Sequence, residues 1–137
     1  DWEKVYLIHP LVSLDTRTRL FPLKMLNQII YTNKSSHKMK LVNTFLCSFC
    51  KNLDVSLEHL FCHCCFSTAF WKSVVFWLKT LQIDFDSYSF SDCDIFYSTA
   101  QIMSNGLLLH HFIVGKQTIY RNRLKNHLPT WSHLIAN

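Results

Sequence analysis

Glycine and proline are almost missing from this chain, with two and three copies in 137 residues. An all-β sandwich needs many tight turns, so the shortage disfavours strands and favours helices. No apolar run reaches the roughly 18 residues of a membrane span. The N-terminal DWEKVYLIHP lacks both the basic start and the long apolar centre of a secretory signal. These absences predict a soluble chain with no membrane partner, inside the cell, in nucleus or cytoplasm. Acids are missing from two long stretches. Between Asp15 and Asp54 lie Arg17, Arg19, Lys24, Lys34, Lys38, Lys40 and Lys51 with no carboxylate, and after Asp94 lie Lys116, Arg121, Arg123 and Lys125, again with none.

What is present complements what is absent. About half of the residues are hydrophobic, including eleven Phe, five Tyr and four Trp, enough for a packed interior. The length fits one domain spanning 1–137 and is short for a complete multi-step enzyme. Asp rather than Met opens the chain, which is read as a piece of something longer. The formal charge is +5, and its segregation into basic arms around an acidic cluster (Asp84, Asp86, Asp92, Asp94) is the kind of potential that attracts polyanions, or else a solvated surface.

Five of the six cysteines fall within nineteen residues, Cys47 to Cys65. Without a secretory signal, metal binding explains them better than disulfides do. Cys47 and Cys50 form a C-x2-C pair, and His59 and Cys64 follow. That order is a Cys3His ligand series of the kind that closes a tetrahedron around one structural Zn2+. Cys62, His63 and Cys65 offer a competing ligand set. A closed site leaves no position for a reactive water, and the H-x-E motif of zinc deaminases is absent, so Glu58 reads as a surface or supporting residue rather than a base.

The periodicity predicts a mainly α fold: a small helical domain with a knuckle-like metal loop. One helix is expected over Leu20–Tyr31, starting near Pro22, with Leu23, Leu26 and Ile30 on one face. A second is capped by Thr32 and runs to about Leu41. Phe45 and Leu46 suggest a short β-arm packed on Leu60 and Phe61. A longer helix runs from just after Cys64 to about Leu81, with Phe66, Phe70, Val74, Trp77 and Leu81 as its stripe, and is expected to be the centre of the core. Residues 1–15 read as irregular and 82–94 as a connector. A short helix follows through Ile95, Phe96 and Tyr97, a long one spans Asn105–Asn126, and after Pro129 a small terminal helix holds Trp131, Leu134 and Ile135. Leu108, Phe112 and Ile119 form one apolar face of the long helix, and Leu107, His111 and Val114 another.

The run EHLFCHCCFSTAFW, Glu58 to Trp71, resembles the zinc-binding segment in the C-terminal part of reverse transcriptases of non-LTR, LINE-type retrotransposons. His59, Leu60, Phe61, Cys64 and Trp71 are in register with it, and the register selects Cys64 among the competing thiols. TNKSSHKMKLV before the first Cys resembles the family's T-N-x-x-L-x-K-x-G-I-V stretch. VGKQTIYRNRLKN resembles its basic helix around K-x-x-I-Y-x-x-R. The resemblance covers about residues 15–135 and departs from the pattern at Cys62, His63 and Cys65 and at Pro22.

The resemblance implies a non-catalytic module that follows a polymerase and contacts template RNA or target DNA. No Y-x-D-D-like pair of metal-binding aspartates occurs, so catalysis by this piece is not expected. RNA or single-stranded DNA would be held mostly by phosphate contacts from Lys116, Arg121, Arg123 and Lys125, then from Arg17, Arg19, Lys34, Lys38 and Lys40. The alternatives are a structural module that packs on the neighbouring polymerase domain through Trp2 and Tyr6, or a decayed remnant without activity. Trp71 and Trp77 read as core, as do His110 and His111.

Overall fold

A computed structural model describes residues 16–27, 29–52, 56–82, 106–130 and 132. Among them the fold is helical and contains no strand. The helices are α1 (Thr16–Leu26), α2 (Asn33–Lys38), α3 (Cys65–Thr80) and α4 (Gly106–Leu124), with a π turn at His59–His63. The expectations for residues 1–15, for the connector beyond Gln82, for the helix at 95–97 and for the terminal helix lie outside the described residues.

α1 starts earlier than expected and carries Pro22 in its interior. Proline removes one backbone donor and crowds the preceding turn, a defect that needs support from outside the helix. α4 supplies it. The Thr18 hydroxyl donates to Gln117 Oε1 at 3.2 Å, the Gln117 amide donates to the Arg17 carbonyl at 3.2 Å, and the Phe21 ring lies 5.9 Å from that of Tyr120. The helix ends at Leu26 instead of Tyr31, and its buried face is Phe21 and Met25.

The cap predicted for α2 is present, with the Ser35 N–H donating to Thr32 Oγ1 at 3.3 Å. The helix stops at Lys38, short of Leu41, because Lys40 turns left-handed (φ 59°). The Leu41 N–H then reaches back to Ser36 O, and the Lys40 N–H to His37 O, the paired bonds of a Schellman ending. The β-arm at Phe45 and Leu46 does not form. Phe45 is exposed, its ring set edge-on to His37 at 5.5 Å.

α3 has nearly the expected bounds, but its buried stripe is rotated to Ser67, Phe70, Trp71, Val74 and Leu78. Phe66 and Leu81 face solvent, and Phe76 is 71% exposed. The most enclosed helix is α4, not α3: every residue from Gly115 to Ile119 is buried. Gly115 is where the two helices meet, since a Cβ there would lie 2.6 Å from the Trp71 ring. Trp71 in turn packs edge-on against Phe112, with ring centres 5.9 Å apart. Leu108, Phe112 and Ile119 are core as expected, whereas Leu107 is exposed.

Candidate metal centre

The knuckle begins with backbone geometry. The Cys47 N–H donates to Asn52 O, and the Lys51 N–H to Cys47 O, each at 3.0 Å, folding the C-x2-C segment into a tight turn. Lys51 closes that turn at φ 61°, and its ammonium donates to Ser48 O at 2.9 Å. Asn33 at the start of α2 clamps the turn from outside. Its amide nitrogen lies 2.6 Å from Leu46 O and 2.9 Å from Ser48 Oγ, the two residues that flank Cys47.

The other half is shaped by the π turn. Residues five apart on an α-helix lie about 140° around its axis, too far for one ion. The wider turn, closed by the Cys64 N–H donating to His59 O at 2.8 Å, brings the ends of the H-x4-C segment together. Ser56 Oγ accepts from the His59 N–H at its start. Three carbonyls of this turn are then met by side chains of α3: Ser67 Oγ donates to Leu60 O at 2.6 Å, Thr68 Oγ1 to Cys62 O at 3.1 Å, and Trp71 Nε1 to Phe61 O at 2.8 Å. The residues of the H-L-F-x-x-C and Trp pattern are thus buried together, and no backbone acceptor among these three is left unsatisfied.

These supports place one donor atom each from Cys47, Cys50, His59 and Cys64 within 4.8 Å of one another. The Cys47 and Cys64 sulfurs are 3.9 Å apart, and Cys50 Sγ lies 3.3 Å from His59 Nε2. Sulfurs on a common tetrahedral ion with 2.3 Å bonds are about 3.8 Å apart, whereas a disulfide needs about 2.0 Å. The five described cysteines are free, and the donor set fits a metal ion with little contraction. Cys64 hydrogen-bonds Cys47, which pulls the Cys47 thiol down to about 4 and pushes that of Cys64 up. Backbone N–H groups of Phe49 and Cys50 favour the Cys47 thiolate, and those of Phe66 and Ser67, in the first turn of α3, favour that of Cys64.

The competing ligands are placed elsewhere. His63 is exposed, its Nε2 3.6 Å from Glu58 Oε1, Cys65 is exposed, and Cys62 is buried outside the cluster. His110 and His111 are packing residues: His111 Nδ1 meets Leu107 O at 2.7 Å and its ring lies 5.4 Å from that of Trp77.

The cations expected to face phosphates divide into two groups. Arg17, Lys34, Lys38, Lys40, Arg121 and Lys125 are exposed; the side chain of Arg19 lies outside the described residues. Lys116 and Arg123 are a correction, because both point inward and are only 2% and 6% exposed. Burial pulls the Lys116 ammonium down to about 7, against an opposing pull from Cys62. Arg123 Nη1 donates to Asn33 Oδ1 at 3.3 Å, and its guanidinium sits 4.7 Å above the Tyr120 ring. Burial lowers its pKa, while Tyr120 and the Cys47 sulfur oppose that shift. Asn33, Ser56, Ser67 and Thr68 were not singled out in the sequence, and only Ser56, three residues before His59, carried a local signal, that of a turn cap.

Compared with known proteins, the chain matches no family model, no curated protein and no solved structure. Among the described residues no helix is long and apolar enough to cross a membrane.

Proposed function

We propose that the chain binds one structural Zn2+ through Cys47, Cys50, His59 and Cys64, and that the metal-braced domain holds RNA or single-stranded DNA through its phosphates. Three soft thiolates and an imidazole in a closed cluster select Zn2+ over oxygen-loving ions, and such a thiol-rich centre suits a reducing, intracellular compartment. The domain then acts as an accessory module without catalysis of its own, the role implied by its resemblance to the C-terminal region of LINE-type reverse transcriptases.

The observation that carries the nucleic-acid reading is the surface around α2. Lys34, Lys38, Lys40 and Lys51 are exposed there together with the rings of Tyr31 and Phe45, and residues 16–52 contain no acid. Cations interleaved with exposed rings suit a single strand, whose phosphates and base faces both need partners. Arg121 in the last turn of α4 and Lys125 just past its end are exposed as well and add to the positive charge.

The test uses zinc-loaded protein and a labelled RNA oligonucleotide. Affinity should fall as salt rises, with a log–log slope of roughly −0.7 per phosphate contact, and Lys34→Glu, Lys38→Glu and Lys40→Glu together should abolish binding at physiological salt. Binding unchanged by that triple reversal overturns the reading. A second reading, a protein-contact module that packs on a neighbouring polymerase domain, is favoured by one feature, the exposed Phe76 beside Trp77 and Lys72 on α3.

A further inference from the structure

The buried guanidinium of Arg123 is charged, costly to bury and placed beside the metal ligands. A charge taken from water destabilises the fold unless an opposite charge or hydrogen bonds offset its lost hydration. Glu58 is the one carboxylate among the described residues, and it faces His63. Arg123 makes no ion pair with a carboxylate there, and its Nε has no hydrogen-bond partner. Its neighbours are instead those of the metal loop: with Cys47, His59, Asn33 and Ser48 it lines a small cavity of about 10 Å3. Through Asn33 its Nη1 is tied to the carbonyl and hydroxyl on either side of Cys47.

The electrostatics of the centre supply the missing partner. A divalent ion held by three thiolates and a neutral imidazole carries one net negative charge, and that charge is as costly to bury as the guanidinium. We infer that Arg123 is the counter-charge of the metal–thiolate centre, a positioning residue whose buried guanidinium offsets the excess negative charge around Cys47 and tightens metal binding. The inference rests on the metal reading above. It also reassigns Arg123: a cation that stands among basic residues in the sequence serves the protein's own anion, not a phosphate.

Zinc affinity, measured by competition with a chromophoric chelator on the whole chain, tests it in three variants. Arg123→Met keeps the bulk and removes the charge, and should bind zinc about tenfold to a hundredfold more weakly, the range for partners that support metal ligands. Arg123→Lys keeps the charge and should stay within a few-fold of wild type. Asn33→Ala cuts the bond to the loop while leaving the charge, and should cost much less than Arg123→Met. Co2+ spectra should keep the three-thiolate signature in all of them.

Arg123→Met binding as tightly as wild type overturns the inference, as does Arg123→Lys or Asn33→Ala losing as much as Arg123→Met, which would make the effect one of bonding geometry. If Arg123→Met fails to fold even with zinc, Arg123→Lys decides: retained affinity supports the counter-charge, and lost affinity overturns it. Wild-type protein that takes up no zinc removes the metal reading itself, an outcome distinct from equal affinity in wild type and variant.

Discussion

The metal loop and the α3–α4 pair reach order by different physical means. Between α3 and α4, Phe70, Trp71, Val74 and Leu78 meet Leu108, Leu109, Phe112 and Ile113 with almost no exposed surface, and removal of apolar area from water supplies the driving force. Among the described residues, the loop from Thr44 to Cys64 buries Phe49, Leu60 and Phe61 and is further held by side-chain bonds to backbone: Asn33 outside the C-x2-C turn, and Ser67, Thr68 and Trp71 beneath the π turn. The first region holds itself by burial. The second is a frame whose two halves meet at four donor atoms, and an ion bound at that junction would act on it most.

Removing the metal is the strongest way to break this comparison. Chelation of zinc-loaded protein, or Cys47→Ser and Cys64→Ser, should withdraw up to about 10 kcal/mol of coupled folding energy from the loop. Hydrogen exchange should show the amides of Lys51, Leu60 and Cys64 losing protection first, while those of Val74 and Ile119 hold. Simultaneous loss in both regions would mean that the loop and the core form one cooperative unit, and the contrast would fail.

The core has a weak point of its own, the buried Lys116. In the unfolded chain its ammonium keeps its proton to about 10.5, and in the folded chain burial lowers that to about 7. Between those values the unfolded state binds more protons, so the stability of the folded state rises with pH across that window, and below pH 7 the full cost of the buried charge applies. Denaturation of zinc-loaded protein between pH 7 and 10 should show the rise, amounting to a few kcal/mol, and Lys116→Met should flatten it while leaving zinc affinity unchanged. A wild-type profile identical to that of Lys116→Met would show that the side chain reaches water.

The contrast also explains what could be read from residues alone. Cys47, Cys50, His59 and Cys64, the Thr32 cap and the span of α3 were legible because each depends on spacing between near neighbours. The inward turn of Lys116 and Arg123 was not. Gln117, Thr118 and Asn122 are buried on the same helix, and Thr118 and Asn122 are satisfied by carbonyls four residues back, so α4 hides polar side chains without an amphipathic pattern. The π turn was hidden too, since nothing in HLFCH distinguishes wide winding from ordinary winding. Its cause lies on α3, in the hydroxyls and indole that meet its carbonyls. The end of α2 at Lys38 was missed for a related reason, because Lys40 takes a left-handed conformation that favours glycine.

Lys51 presents the same conflict at the metal loop, and it offers the finest test of how strain is distributed between the two regions. Its φ of 61° places a side chain where L-residues lose about 1–2 kcal/mol relative to glycine. The ammonium recovers part of that through the bond to Ser48 O, but the bond is solvent-exposed and worth about 0.5 kcal/mol. Lys51→Gly relieves the backbone while adding freedom to the unfolded chain, so the net gain should be small, up to about 1 kcal/mol, and visible as a raised melting temperature of the zinc-loaded protein. Lys51→Ala loses the bond and keeps the strain, so it should melt slightly below wild type. If glycine lowers the melting temperature as alanine does, the ammonium holds the knuckle more firmly than its exposure implies, and the loop owes part of its shape to that side chain.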